Sequence, residues 1–270
     1  MPEHIRFHPY PLAGVDAMSA MTVRSFPRHT HDQYGIGIID FGGHASHSGR
    51  GQVEAGPGNL IFVNPGEVHD GRAIGGRLRS WRMLYIDPAF MDATRADILG
   101  GAAASMTFAS PVYADEPLRA LFDAAFTHAA TAKENRDRMA CETAILRLTA
   151  RLEVNSANAP RISKHPTGSI RRARERIDAD PTAPLLLEEL AREAGLSRYQ
   201  LIRGFSRELG LTPHAYIVQR RVAVARRLIR AGQTLAAAAM TAGFYDQSHF
   251  NRHFVRQFGV TPARYVLNAQ

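Results

Sequence analysis

The 270-residue chain is predicted to be an α+β protein. An antiparallel β-barrel with accompanying helices comes first, followed by an all-α part in which two helix-turn-helix units are joined by one long helix. Three observations carry this. Short strand-like runs separated by turn residues fill residues 24 to 87, amphipathic helical spacing takes over further on, and the C-terminal part repeats itself. Hydrophobic residues make up 45% and charged residues 21%, enough apolar content for packed cores.

In the first part, runs at Tyr34 to Ile39, Asn59 to Val63 and Trp81 to Ile86 alternate with turns at Phe41-Gly42-Gly43 and Pro65-Gly66. That spacing fits a small antiparallel barrel or jelly roll, which holds small molecules in its mouth. His29 and His31, two apart on a strand, point to one face. Together with Glu67 and His69 they have the residue types of a three-histidine, one-carboxylate metal site. No carboxylate follows the first histidine pair within residues 33 to 38, so a catalytic metal site is incomplete without Glu67. The candidate effector-binding residues are Arg28, His29, His31, Tyr34, Glu67, His69, Trp81 and Arg82. Arg28 and Arg82 suit a carboxylate on a ligand, or are surface charges.

Residues 1–100 are therefore read as a sensing barrel and 101–155 as a helical dimerisation segment. Within the latter, Glu134 to Leu152 spaces Met139, Ile145, Leu146, Leu148 and Leu152 as an amphipathic stripe. That stripe packs on its own domain or on a second subunit. Residues 156–168, within the Pro- and Asn-rich stretch Val154 to Gly168, read as a linker.

Residues 169–270 contain the repeat. At an offset of 48, Leu187, Ala191, Ala194 and Gly195 meet Leu235, Ala239, Ala242 and Gly243; at 49, Arg203, Phe205, Gly210, Thr212, Pro213 and Tyr216 meet Arg252, Phe254, Gly259, Thr261, Pro262 and Tyr265. In each copy a short helix ends at a glycine and a capped second helix follows, at Ser197 in one and Asp246 in the other. Buried stripes Leu201-Phe205-Leu209 and Phe250-Phe254-Phe258 leave two outward faces. These are Arg198, Tyr199, Ile202 and Arg203 in the first copy, and Gln247, Ser248, Asn251 and Arg252 in the second. Such side chains read base edges in a major groove. Between the copies, Pro213 to Arg230 is one arginine-rich helix of about 26 Å, which sets the reading helices roughly one DNA turn apart.

Charge follows the same division. Residues 1–160 hold 15 Lys+Arg against 17 Asp+Glu, whereas residues 161–270 hold 18 against 8, a net +10 that marks a polyanion partner. The longest apolar run, Leu235 to Met240, is too short to span a membrane. The N-terminal residues lack the apolar core of a signal peptide, and Cys141 is the one cysteine. A cytoplasmic protein without membrane association is expected.

Residues 170 to 265 resemble the DNA-binding domain of AraC/XylS family transcription regulators, most closely in GFYDQSHFNRHFVRQFGVTPARY, Gly243 to Tyr265. The runs FPRHTHDQYGIGIIDFGG and GNLIFVNPGEVHDG are similar to the cupin-like effector domains of the same family. The resemblance implies a ligand-responsive regulator that is not an enzyme and needs no cofactor or metal. Its partners would be double-stranded promoter DNA, a small-molecule effector, RNA polymerase and a second copy of itself. It also implies that the eight outward residues approach bases. The alternative reading is a metal-dependent cupin enzyme tethered to a DNA-binding domain.

Overall fold

The computed structural model describes residues 3–8, 12–48, 51–101, 105–131, 138–157 and 167–269. Among the described residues, ten strands form two antiparallel sheets. The first has six strands in the order β1 (His4–His8), β2 (Val15–Thr22), β9 (Arg79–Ile86), β4 (Tyr34–Phe41), β7 (Leu60–Val63) and β10 (Val112–Tyr113). The second has β3 (Phe26–His29), β8 (His69–Ala73), β5 (His44–Ser48) and β6 (Gly51–Ala55).

Side-chain alternation along the six-stranded sheet produces two distinct faces. Val15 and Ala17 of β2, Tyr34, Ile36 and Ile38 of β4, and Leu84 and Ile86 of β9 face one core. Helices α1 (Pro88–Leu99), α2 (Glu116–Thr131) and α3 (Arg138–Ala157) cover it. From α3, Cys141, Ile145, Leu148 and Leu152 are buried there, while Met139 and Leu146 are exposed. The expected stripe of five therefore divides. Three of its members pack on their own domain, because a helix covering a sheet needs only one side of itself.

Two features depart from the expected boundaries. β10 lies beyond residue 100 yet pairs with β7, and Met106 and Phe108 sit in the same core as Tyr34. Of the expected linker, residues 158–166 lie outside the described residues, and helix α4 (Gly168–Ala179) begins at its end.

The C-terminal part holds α5 (Leu187–Ala194), α6 (Arg198–Leu209), α7 (Pro213–Arg230), α8 (Leu235–Thr241), α9 (Gln247–Phe258) and α10 (Pro262–Ala269). Capping follows the repeat. Ser197 accepts from the Gln200 amide and Asp246 from that of His249; Thr212 and Thr261 play the same part for α7 and α10. Gly195 and Gly243 turn the chain at φ values of +69° and +84°, a backbone region costly for residues with a Cβ.

The other face of the six-stranded sheet is where the halves meet. Ile5, Phe7, Met18, Ala20, Trp81 and Met83 share one continuous core with Val222, Phe250, Phe254, Val260 and Tyr265. Phe7 meets the Tyr265 ring edge-on at 4.9 Å. The first helix-turn-helix unit has a separate core around Ile170, Leu201, Phe205 and Tyr216.

Candidate ligand pocket and nucleic-acid interface

A cavity partly open to solvent lies on this second face of the six-stranded sheet. Three histidines cluster in its wall. The His29 and His69 ring centroids are 4.3 Å apart, and those of His31 and His69 5.2 Å. β3 ends at His29, so His31 sits just past the strand rather than on it, and strand alternation does not account for its place beside the other two rings.

Each ring is oriented by a backbone carbonyl. The Nδ1 of His29 lies 2.8 Å from the Pro27 oxygen, that of His31 2.8 Å from the Gln33 oxygen, and that of His69 3.2 Å from the Glu67 oxygen. A carbonyl only accepts, so each Nδ1 carries the hydrogen and each Nε2 of the neutral ring is an acceptor. Burial pushes the His29 pKa down to about 3, with His69 as a further cause. Burial brings His69 to about 4 and, helped by the Arg79 charge, His44 to about 3. His31 is lowered by burial and by its two histidine neighbours. All four are neutral at physiological pH. Among the described residues no group of three or more His, Cys, Asp or Glu side chains could hold a metal ion.

Of the eight expected pocket residues, His29, His31, His69 and Trp81 line the cavity. The other four do not. Tyr34 is buried in the opposite core, its hydroxyl donating to the Met106 carbonyl. The Glu67 carboxylate accepts from the Asn64 side chain at 2.9 Å. Arg28 is exposed beside His47, and Arg82 is held by Asp40 and Asp123 at 2.7 and 2.8 Å. Alternation explains Arg82: as the neighbour of Trp81 on β9, it must point to the other face.

The remaining walls are mostly apolar and aromatic, including Phe26, Met83 and Tyr85, and two come from the other half of the chain: Gln257 and Phe258 of α9. The repeat contains one hint of this. Gln257 occupies the position of Glu208 in the first unit, and a neutral side chain is the one that tolerates burial.

The loop that carries the histidines is gripped from the helical side. Gln219 of α7 accepts from the Thr30 amide at 2.7 Å and donates to the Arg28 carbonyl at 3.1 Å; Gln257 donates to the Thr30 carbonyl at 2.9 Å. Arg226 donates to the Gln33 side chain at 2.6 Å. Asp32 pairs with Arg220 and, at 3.2 Å, with Arg227; Asp16 pairs with Arg230 at 2.8 Å. Arg221 instead fastens Pro181, Ala183 and Gly243 through their carbonyls. The arginines of α7 are thus engaged within the chain.

The reading faces are largely open. Arg198, Tyr199, Ile202 and Arg203 on α6 are exposed, as are Gln247, Ser248 and Arg252 on α9. Asn251 differs: it is half-buried, with Oδ1 covered and without a partner among the described residues. It lies at the edge of the outward face because it borders the side of α9 that packs inward.

Comparison with known proteins matches residues 12–149 to the AraC-like ligand binding domain and residues 190–268 to a helix-turn-helix domain. The chain is 26% identical over 257 residues to an uncharacterized HTH-type transcriptional regulator, YbfI, of Bacillus subtilis (strain 168); the match covers 91% of this chain and 86% of the relative. A probable transcriptional regulator, LumQ, of Photobacterium leiognathi is 37% identical over 78 residues, 28% of this chain and 32% of LumQ. The fold is that of ToxT from Vibrio cholerae. The structure of ToxT bound to an unsaturated fatty acid superposes with a TM-score of 0.58 at 12% identity, over 98% of this chain and 95% of that one.

Proposed function

Because this chain belongs to the family of transcription regulators with an AraC-like ligand-binding domain and a helix-turn-helix DNA-binding domain, we propose that its pocket controls the second reading unit directly. The carrying observation is the shared wall: Gln257 and Phe258, from reading helix α9, close the cavity built by the sheets. A molecule seated there touches the last turn of α9 and the loop that α7 and α9 grip. Such a ligand alters DNA binding only by the difference in its affinity for the two arrangements, and DNA alters ligand affinity by the same factor.

In the arrangement described, Asp16 and Asp32 occupy arginines that would otherwise meet phosphates. The pairs are partly exposed, which limits each to roughly 0 to 1 kcal/mol. The apolar junction contributes more, since burying one aromatic or aliphatic side chain is worth about 1.5 to 3 kcal/mol. The junction therefore supplies the energy and the ion pairs set its register.

On this reading α6 and α9 enter successive major grooves of double-stranded promoter DNA through Arg198, Tyr199, Ile202, Arg203, Gln247, Ser248, Asn251 and Arg252. Asn251 becomes available once α9 shifts. The sensing unit comprises residues 1–100 with β10 added, 101–155 carry the dimer contact through exposed Met139 and Leu146, 156–168 form a linker, and 169–270 bind DNA. The protein acts in the cytoplasm as a homodimer beside RNA polymerase and performs no chemistry. No helix among the described residues is long and apolar enough to cross a membrane.

Selection of bound genomic fragments by the purified chain supplies the operator. Phe258→Ala should then change operator affinity at least fivefold without touching a base-reading residue. Unchanged affinity in a folded variant refutes control through the shared wall.

A further inference from the structure

We infer that the cavity takes a neutral aromatic compound bearing neighbouring hydroxyl groups, held by hydrogen-bond acceptors rather than by a cation. The inference rests on the reading of this cavity as the effector site.

The first ground is an excess of acceptors. With Nδ1 of His29, His31 and His69 each committed to a carbonyl, their Nε2 atoms are lone-pair acceptors, and none has a hydrogen-bond partner among the described residues. Gln257 adds a fourth. Its amide nitrogen donates to the Thr30 carbonyl, which assigns the nitrogen end and leaves Oε1 buried without a partner among the described residues. Of these acceptors the Gln257 Oε1 is buried, and a buried acceptor left unmade is costly, so the favoured occupant brings donors. The 4.3 Å separation of the His29 and His69 rings suits two donors on neighbouring ligand atoms.

The second ground is charge. No Lys or Arg lines the cavity, and the charged side chain that does, Asp70, is negative and accepts from the His47 amide. A ligand carboxylate would lose its water and meet acceptors, without the arginine fork that usually repays it. The Asp70 carboxylate in the lining and the Arg79 guanidinium, buried 4.8 Å over the Trp81 ring with Nε and Nη1 unpartnered among the described residues, oppose each other, so the wall favours neither a cationic nor an anionic head. That leaves a neutral donor group. The third ground is shape: Phe26 and Trp81, edge-to-face at 6.0 Å, with Phe62, Tyr85 and Phe258, provide faces and edges for one more aromatic ring.

The test uses the full chain, with Trp81 fluorescence and calorimetry reading three ring probes and one metal. Catechol offers two neighbouring donors, benzoate a carboxylate, toluene neither, and zinc asks whether the histidines prefer an ion. Catechol should bind at least tenfold tighter than benzoate or toluene. His69→Phe should weaken catechol at least tenfold and leave toluene within twofold, with His69→Gln, which restores an acceptor, falling between. Should His69→Phe fail to fold, Gln257→Leu serves, with a several-fold loss for catechol alone. Benzoate binding as tightly as catechol, or stoichiometric zinc that excludes it, overturns the inference while leaving the cavity a ligand site. If none of the three ring probes perturbs Trp81, both the inference and the cavity's role as effector site fall.

Discussion

The two helix-turn-helix units share a sequence pattern but differ in what they rest on. Leu201 and Phe205 of the first unit pack against α4 and the start of α7, in a core that the sheets barely touch. Phe250 and Phe254 of the second belong to a core that runs without interruption into Phe7, Trp81 and Met83. One unit is supported by its own helices and the other by the sensor. The difference teaches where control can enter: a ligand in the cavity touches α9 directly, whereas it reaches α6 only indirectly, through α7 and through Val68 beside His69.

Acidification should separate the two regions most strongly. The cavity histidines have folded-state pKa values near 3 to 4, below the ordinary 6.5, so between these limits the unfolded chain binds protons that the folded chain refuses. Stability is therefore complete above about pH 6.5 and falls progressively as the pH drops toward 4. Urea midpoints followed by Trp81, the one tryptophan, should decline steeply between pH 7 and 5. A flat profile would mean that the histidines are solvated and protonate freely.

Next in size are the buried stripes. Phe205→Ala and Phe254→Ala should each cost about 3 to 5 kcal/mol, because both rings are fully buried. Only Phe254→Ala should also shift Trp81 emission in the folded protein. Equal shifts from both would show that the first unit too is coupled to the sheets.

Base reading comes third. Arg203→Ala and Arg252→Ala should each lose about 1 to 3 kcal/mol of operator affinity and relax sequence preference at positions about one helical turn apart. The loss at Arg252 should depend on ligand occupancy more strongly than that at Arg203. Uniform weakening on every sequence would assign both arginines to phosphates.

The smallest effect concerns the clamp. Asp32→Asn removes the charge partner of Arg227 and one of the two carboxylates beside Arg220, whose Nε also lies 2.9 Å from Asp178. Ligand-free DNA affinity should rise about fivefold, near 1 kcal/mol. The slope of log affinity against log salt should steepen by about one, as the freed Arg227 releases counterions. A fall in affinity would show that Asp32 supports the DNA-binding arrangement instead.

Within the helical half, local rules were nearly sufficient. Ser197, Asp246, Thr212 and Thr261 cap the helices that their positions in the repeat imply, and seven of the eight outward residues are exposed. Within the sensor, the strands were legible but their faces were not fully used: Trp81 and Arg82 are neighbours on β9, and the period of two forbids them a common pocket. Tyr34 shows the same rule at work, since it falls on the face that α1, α2 and α3 cover.

The sequence by itself determined the two-part architecture, the duplicated unit with its caps and outward faces, and the grouping of His29, His31 and His69. These are properties of spacing, cap chemistry and charge within short stretches of chain. Tertiary structure alone decided that Gln257 and Phe258 would wall a cavity begun at His29, and that Asp16 and Asp32 would capture Arg230, Arg220 and Arg227. Those partners stand roughly 190 to 230 residues apart, beyond the reach of any helical or strand period. They meet because the apolar face of the six-stranded sheet left open by α1, α2 and α3 had to be buried, and the second unit supplied the surface that buries it.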